Sequence, residues 1–358
     1  MPCARNGCKG SDPLYRAVWP RSTAPVPQSG SPGRSLEGSL GGKPWPQGTS
    51  GLPSCIMATS KLPRGMTPPA VRSPSIGVGT WAWGNQFLWG YSPSQDEAIH
   101  GAFQRAVALG LHFFDTADSY GTGRWIGRSE SLLGRWCAEL PASRREELTV
   151  ATKLAPFPWR LGRRGFDRAF VASRERLQGK LDRVQLHWST ARYAPWQEEP
   201  LLQGLADRVQ DGEVAELGLS NVGPRRLRHL HGLLAERGVR LASLQVQFSL
   251  LSPEAAAPGG VAEVCRDLGV QWIAYSPLGL GWLAPVDGEE RLFPSGPRGV
   301  LFRRLAKGAG ALREGLLRLA SDRQVPAAAV ALNWCRAHRS EEHTSELQSH
   351  SDLVCRLL

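Results

Sequence analysis

Four polar residues at the ends of apolar segments could together perform acid–base chemistry. Asp115 and Tyr120 lie close together in HFFDTADSYG, where an apolar stretch gives way to a turn, and Lys153 and His187 each end another apolar stretch. An ammonium beside a phenol favours the phenolate, so it makes a tyrosine with an ordinary pKa of about 10 a better proton donor. Asp115 would keep Lys153 charged, and His187 would orient a carbonyl oxygen or share the proton. This set would suit carbonyl reduction, in which a hydride reaches carbon while Tyr120 protonates oxygen.

Each of these residues also has a structural interpretation when it is taken alone. An aspartate after a strand often caps the next helix. A tyrosine can be a packing residue, a lysine can lie on the surface, and a histidine can be a core residue with its hydrogen bonds satisfied. The chemical interpretation therefore depends on strands that bring all four to one place.

Seven short apolar segments alternate with longer amphipathic ones through the middle of the chain. The predicted strands are Ile76–Trp81, Leu111–Asp115, Leu148–Lys153, Val184–His187, Val214–Leu219, Leu241–Val246 and Val270–Ala274. Such alternation predicts an α/β fold with parallel strands and right-handed crossovers. A doubly wound dinucleotide fold would need GxGxxG after the first strand, and Gly77, Gly79 and Gly84 lack that spacing. Polar residues at the ends of many strands favour a barrel instead.

Six motifs in order resemble those of the aldo-keto reductase family, of the plant or algal plastid type, over roughly residues 74–338. They are FDTADSYG (114–121), ATK (151–153), QLHW (185–188), GLSN (218–221), LQVQFSLL (244–251) and AYSPLGLG (274–281). The resemblance implies a (β/α)8 TIM barrel that binds NADPH/NADP+ in an extended form and reduces a small carbonyl substrate, an aldehyde or a ketone. Asp115, Tyr120, Lys153 and His187 would then be the catalytic residues.

The resemblance also implies where the cofactor and the substrate bind. The nicotinamide carboxamide would be held by Ser220, Asn221 and Gln245. Tyr275 would stack on the nicotinamide ring, and the loop Ser276–Gly281, with Leu278 and Gly279, would lie over the pyrophosphate. Trp81 and Trp188 would line an apolar substrate pocket.

Residues 1–72 form a prefix in which we expect no packed core, because they are rich in Pro, Gly, Ser and Arg. They hold nine basic and two acidic residues, so +7 of the net charge of +11 belongs to the prefix and a nucleic-acid partner is disfavoured. The prefix is interpreted either as a transit peptide, which predicts a chloroplast location, or as translated upstream sequence before Met57, which leaves a cytoplasmic location as the alternative. The seven cysteines have no CxxC spacing, which disfavours a metal site, and no apolar run is long enough to predict a membrane span.

The end of the chain has an unusual composition. RSEEHTSELQSH (339–350) resembles the translation of a common sequencing adapter, so residues 339–358 are predicted to be an artefactual or disordered tail. The barrel of residues 73–338 would then lack its eighth strand and its final helix. It would also lack the basic loop that grips the adenosine 2′-phosphate in the family.

Three alternatives to an active reductase stay open at this point. The chain could be a non-catalytic, cofactor-sensing relative, like the channel β-subunits that resemble this family. It could be an inactive truncated form, or an aldolase-type barrel in which Lys153 forms a Schiff base. The identity of the carbonyl compound and the oligomeric state do not follow from these residues.

Overall fold

Eight parallel strands close into a barrel in a computed structural model of the chain. It describes residues 76–285, 293–294 and 296–338, together with the backbone of 344–348. By its internal contacts the chain divides into Met1–Pro68 and Pro69–Leu358, and all described residues belong to the second unit. The strands are β1 (Ile76–Gly79), β2 (Phe113–Asp115), β3 (Thr149–Leu154), β4 (Arg183–Leu186), β5 (Glu216–Ser220), β6 (Leu241–Gln247), β7 (Gln271–Tyr275) and β8 (Thr344–Gln348). The predicted fold class is therefore confirmed.

Helices follow the strands and cover the outside of the barrel. They are α1 (Gln86–Trp89), α2 (Asp96–Ala108), α3 (Arg128–Glu139), α4 (Ala142–Glu147), α5 (Asp167–Arg176), α6 (Pro195–Gln210), α7 (Pro224–Glu236), α8 (Val261–Leu268), α9 (Gly296–Arg323) and α10 (Ala327–Ala337). In α2 the buried side chains recur every three or four residues, as expected for a helix with one face on a core. Among the described helices, none is both long and apolar enough to cross a bilayer.

The amino ends of the strands are closed by a polar cluster around Arg183, the first residue of β4. Its guanidinium donates to Glu216 Oε2 at 2.6 and 2.8 Å and to Gln271 Oε1 at 3.1 Å. It also lies over the ring of Phe113, 5.3 Å from the centroid. In barrels of this kind ligands bind at the opposite end, where the strands terminate.

The eighth strand corrects the expectation that the barrel is open. Thr344–Gln348, inside the predicted tail, pairs in parallel with β1 from Ile76↔Ser345 to Gly79↔Gln348, and with β7 at Ile273↔Thr344. Seven strands would leave two edges with unpaired N–H and C=O groups, and the next extended segment of the chain satisfies both. Backbone pairing depends little on side-chain identity, so the unusual composition of the tail does not prevent it. The adapter origin of the tail stays a prediction, and a helix after β8 would fall outside the described residues.

Candidate active site

Lys153 is the centre of the polar cluster at the mouth of the barrel. Its ammonium contacts Asp115 Oδ2 and donates to Thr116 O at 3.0 Å and to Tyr120 Oη at 3.1 Å. These three acceptors match the three hydrogens of an ammonium group. The side chain is 1% exposed, so the charge depends on these contacts for its solvation.

Asp115 divides its two carboxylate oxygens between two donors. Oδ2 accepts from Lys153, and Oδ1 accepts from Gln185 Nε2 at 2.8 Å. The backbone of Asp115 is fixed as well, because its carbonyl oxygen accepts from the amide and the hydroxyl of Thr80 at 2.9 and 3.0 Å. The carboxylate therefore has one preferred orientation, with one oxygen toward the ammonium.

Helix α3 fixes the ends of the strands that carry this pair. Ser129 Oγ lies 2.6 Å from Thr80 Oγ1 and 2.9 Å from Thr116 Oγ1. The next residue, Glu130, accepts from Thr152 Oγ1 at 2.5 Å. The first turn of α3 thus contacts the ends of β1, β2 and β3 through buried hydrogen bonds, which favours one arrangement of the strand ends.

His187 faces Tyr120 from the other side of the mouth. The two ring centroids are 5.8 Å apart, and His187 Nδ1 lies 3.3 Å from Ser119 Oγ. Burial, followed by the positive charges of Lys153 and Arg160, lowers the pKa of His187 well below its ordinary value. The imidazole is therefore neutral at neutral pH.

A buried ion pair joins the loops that follow β2 and β3. Asp118 accepts from Ala155 N at 3.2 Å and from Arg160 Nη1 at 2.5 Å, and the same Nη1 donates to Ala155 O at 2.7 Å. Burial raises the pKa of Asp118, and the guanidinium of Arg160 opposes that effect. The contact anchors the loop that carries Ser119 and Tyr120.

The residues expected to hold a nicotinamide lie at or near the carboxyl ends of β5, β6 and β7. Asn221 adopts a left-handed φ of 55°, and its Nδ2 donates to His187 O and to Ser220 Oγ, each at 3.1 Å. Tyr275 Oη donates to Asn221 Oδ1 at 2.9 Å. Gln245 is 1% exposed, and its Nε2 has no hydrogen-bond partner among the described residues. The site thus contains a buried donor that fits an external acceptor.

The loop Ser276–Gly281 turns sharply after β7. Ser276, Gly279, Leu280 and Gly281 have φ values of 53°, 57°, 59° and 96°, while Leu278 is buried beneath them. A β-carbon at Gly279 would lie 2.5 Å from Leu251 Cδ1, so a glycine fits this turn with least strain. Within the turn, Gly279 N donates to Ser276 O at 3.0 Å and Gly281 N donates to Leu278 O at 3.1 Å, and these hydrogen bonds hold its shape.

The two predicted pocket tryptophans approach the cluster from different sides. The ring of Trp81 lies 6.4 Å from that of Tyr120. The ring of Trp188 lies 4.9 Å from that of His187, and its Nε1 donates to Tyr193 Oη at 2.8 Å. Phe157 completes this wall, 6.0 Å from Trp188.

Several residues near the cluster were not identified from the sequence. They are Gln185, Ser119, Asp118, Arg160, Phe157 and Tyr193. One sequence feature could have identified Gln185, because an amide inside an otherwise apolar strand must find a hydrogen-bond partner. No such feature marks Arg160 and Phe157, since their positions depend on the path of a loop.

Known proteins resemble this chain in sequence and in fold. A family model described as "Aldo/keto reductase family" matches residues 75–346. "Pyridoxal reductase, chloroplastic" of Arabidopsis thaliana is 47% identical over 263 residues, which cover 73% of this chain and 72% of that protein. An uncharacterized oxidoreductase of Mycobacterium tuberculosis is 34% identical over 274 residues, which cover 72% of this chain and 76% of that protein.

Two solved structures share the fold at lower identity. A thermostable aldo-keto reductase, Tm1743, in complex with the inhibitor epalrestat matches with a TM-score of 0.59 and 22% identity, over 79% of this chain and 88% of that one. An aldo/keto reductase from Klebsiella pneumoniae in complex with NADP and acetate matches with a TM-score of 0.58 and 22% identity, over 80% and 84%.

Proposed function

This chain belongs to the aldo/keto reductase family, and we propose that it is an NADP-dependent oxidoreductase that reduces an aldehyde or a ketone to an alcohol. One observation carries the proposal. The buried ammonium of Lys153 lies between the carboxylate of Asp115 and the phenol of Tyr120, beside a neutral His187. A phenol in such surroundings is suited to donate a proton near neutrality.

Tyr120 delivers the proton to the carbonyl oxygen. The ammonium of Lys153, 3.1 Å from Tyr120 Oη, stabilises the phenolate that this step leaves behind. The carboxylate of Asp115 keeps the lysine charged without exposing it to water. The same contacts disfavour a Schiff base, because a protonated amine is not a nucleophile.

His187 orients the carbonyl group. When the hydroxyl of Ser119 donates to Nδ1, the neutral ring carries its hydrogen on Nε2 and can donate it to the carbonyl oxygen. The hydrogen bond from Asn221 to His187 O holds the backbone at this position.

The residues at the mouth fit a nicotinamide cofactor. NADPH would supply the hydride that reaches the carbonyl carbon. Gln245, Ser220 and Asn221 would hold the carboxamide, Tyr275 the ring, and Ser276, Leu278 and Gly279 the phosphates. Gln245 Nε2 has no hydrogen-bond partner within the described part of the chain, and it supports this assignment because it offers a buried donor to an amide oxygen. The structures of the Klebsiella pneumoniae relatives with NADP and NADPH support the same choice of cofactor.

The substrate we propose is a planar aromatic or heteroaromatic aldehyde, with pyridoxal as the first candidate. Support comes from the name of the Arabidopsis thaliana relative and from the flat walls formed by Trp81, Trp188 and Phe157. We further propose a plastid location, because that relative is described as chloroplastic and residues 1–72 have the composition of a transit peptide. A fluorescent fusion of the prefix that stays in the cytoplasm would contradict the location and leave the enzymatic proposal intact.

Turnover measured as NADPH oxidation, with pyridoxal and a broad panel of aldehydes, tests the function. Tyr120→Phe should lower kcat by about 10²-fold or more, because the proton donor is lost. Tyr91→Phe is the matched control, since Tyr91 Oη donates to Asp96 outside the cluster, and it should retain kcat. NADPH binding without turnover on any substrate would favour a non-catalytic, cofactor-sensing protein. Trapping of Lys153 by borohydride with a carbonyl compound would favour the aldolase alternative.

A further inference from the structure

We propose that Gln185 is a positioning residue for proton delivery, because its side-chain amide holds Asp115, and through it Lys153, in the arrangement that Tyr120 requires. The inference rests on the proposed function, in which Tyr120 is the proton donor. It concerns a residue on β4, two positions before His187, that does not touch the reacting atoms.

Gln185 and Lys153 hold different oxygens of the Asp115 carboxylate. Gln185 Nε2 donates to Oδ1 at 2.8 Å, while Lys153 contacts Oδ2. Rotation of the carboxylate would break both contacts at once. An ionised carboxylate only accepts hydrogen bonds, so the amide must present Nε2 to it. Both Gln185 and Asp115 are 0% exposed, and water does not compete for this hydrogen bond.

The neighbouring strand β5 leaves room for the side-chain amide of Gln185. Gln185 pairs with Lys153 on β3 and with Gly218 on β5. A β-carbon at Gly218 would lie 3.0 Å from Gln185 Cγ and 3.2 Å from Gln185 Oε1. The absence of a side chain at Gly218 therefore lets Gln185 extend toward Asp115 inside the barrel.

A glutamine at this buried position has a cost in stability. Oε1 of Gln185 is buried and has no hydrogen-bond partner among the described residues. A leucine or a methionine would fill the same space without an unsatisfied polar atom, and most buried strand positions are apolar. A role in packing alone does not account for a glutamine here, whereas the hydrogen bond to Asp115 does.

The contact fixes the position of the Lys153 ammonium as well as that of the carboxylate. With Oδ1 held by Gln185, Oδ2 stays directed at the ammonium. The positive charge then stays 3.1 Å from Tyr120 Oη. Loss of the amide would let the carboxylate rotate and draw the ammonium away from Tyr120 Oη, which would weaken the stabilisation of the phenolate.

Titration of Tyr120 in the cofactor-free protein tests this directly. The change in phenolate absorbance with pH is recorded for each protein, and the same curve for its Tyr120→Phe partner is subtracted. With Gln185→Met the pKa of Tyr120 should rise, and kcat with NADPH and an aldehyde should fall about tenfold. NADPH affinity should not change, because Gln185 lies below the mouth.

Gln185→Glu separates hydrogen bonding from packing. The introduced carboxyl can donate to Asp115 only while it is protonated, so kcat should increase as the pH falls, unlike that of Gln185→Met. Ser243→Ala is the control, because Ser243 Oγ also faces Gly218 and has no partner among the described residues. It should keep the wild-type pH profile.

The outcomes distinguish this inference from the proposed function. If the wild-type protein has no turnover, the proposed function fails, and the Tyr120 titration still tests the role of Gln185. If Tyr120 titrates identically in wild-type protein, Gln185→Met and Gln185→Glu, the inference is overturned, whatever the effect of these variants on melting temperature.

Discussion

Replacing Lys153 with methionine measures how far catalysis depends on the ammonium between Asp115 and Tyr120. Methionine keeps most of the length and the apolar stem of the side chain, and it removes the charge and the three hydrogen-bond donors. We expect a large loss of kcat with little change in NADPH affinity, because Lys153 stabilises the phenolate and does not lie among the residues proposed to hold the cofactor.

The magnitude follows from the distance between the two groups. A unit positive charge 3.1 Å from a phenolate oxygen stabilises it by about 5 kcal/mol at an effective dielectric constant of about 20. The carboxylate of Asp115 contacts the same ammonium and opposes this field. If it cancels half, about 2.5 kcal/mol remains, which corresponds to a loss of about 70-fold in kcat.

The assay is the single-turnover rate of NADPH oxidation with a saturating aldehyde, measured with protiated and deuterated NADPH. Loss of proton delivery should slow the chemical step and leave a clear isotope effect on it. Lys180→Met is the matched control, because Lys180 pairs with Asp182 just before β4, at the end of the barrel away from the mouth. A single-turnover rate for Lys153→Met within threefold of the wild-type rate would refute the proposed role of the ammonium.

A second variant shows whether the loss of kcat comes from the missing ammonium or from instability of the protein. Lys153→Met leaves the carboxylate of Asp115 buried with one fewer partner, at a cost of about 3–5 kcal/mol in the free energy of unfolding. Lys153→Met combined with Asp115→Asn removes that buried charge. The double variant should recover stability, seen as a higher melting temperature, without recovering kcat.

Because the pKa of His187 lies well below its ordinary value, only the unfolded chain takes up a proton at this residue as the pH falls through about 6.5. The melting temperature should therefore fall more between pH 7.5 and 5.5 for the wild-type protein than for His187→Gln. Equal falls in the two proteins would contradict this prediction. Gln245→Met should weaken NADPH binding, measured by fluorescence titration, without lowering the stability of the cofactor-free protein. The substitution removes a buried donor that has no partner among the described residues. Unchanged affinity for NADPH would contradict the cofactor assignment. Gly134→Ala should lower the free energy of unfolding by about 2 kcal/mol or more, because the new β-carbon would lie 2.2 Å from Arg176 O. The control Gly232→Ala, whose β-carbon would have nothing within 4 Å, should raise it by about 0.5–1 kcal/mol. Chemical denaturation measures both, and equal effects of the two substitutions would contradict the prediction.

The repeated strands and helices were predictable because their signals are local. Apolar stretches such as Leu148–Lys153, bounded by polar and turn residues, indicate strands wherever they occur. Observed strand bounds differ from the predicted ones by a few residues, as in β1, which ends at Gly79 and not at Trp81. Hydrogen bonds between strands set these limits, and a single segment does not show them.

The eighth strand was not predictable by the same means. Thr344–Gln348 has no strong alternation of apolar and polar residues, and it lies within the segment that resembles a translated adapter sequence. Its pairing with β1 and β7 depends on two free edges more than 60 residues away in the chain. Edges of that kind exist only once the other seven strands have folded.

The types of the four central residues and the order of their motifs were determined by the sequence itself. Asp115, Lys153 and His187 lie at or beside the ends of apolar strands that all end at one face of the barrel, and Tyr120 follows in the turn after Asp115. Only the tertiary structure decided which atoms meet. Gln185 reaches Asp115 across 70 residues of chain, and Arg160 reaches Asp118 across 42. These contacts depend on barrel closure, on strand register and on the small size of Gly218, and those properties arise from long-range packing that no local spacing specifies. HFFDTADSYG thus contains the acid and the phenol. Closure of the barrel places the Lys153 ammonium between them and the Gln185 amide at the other oxygen of the Asp115 carboxylate.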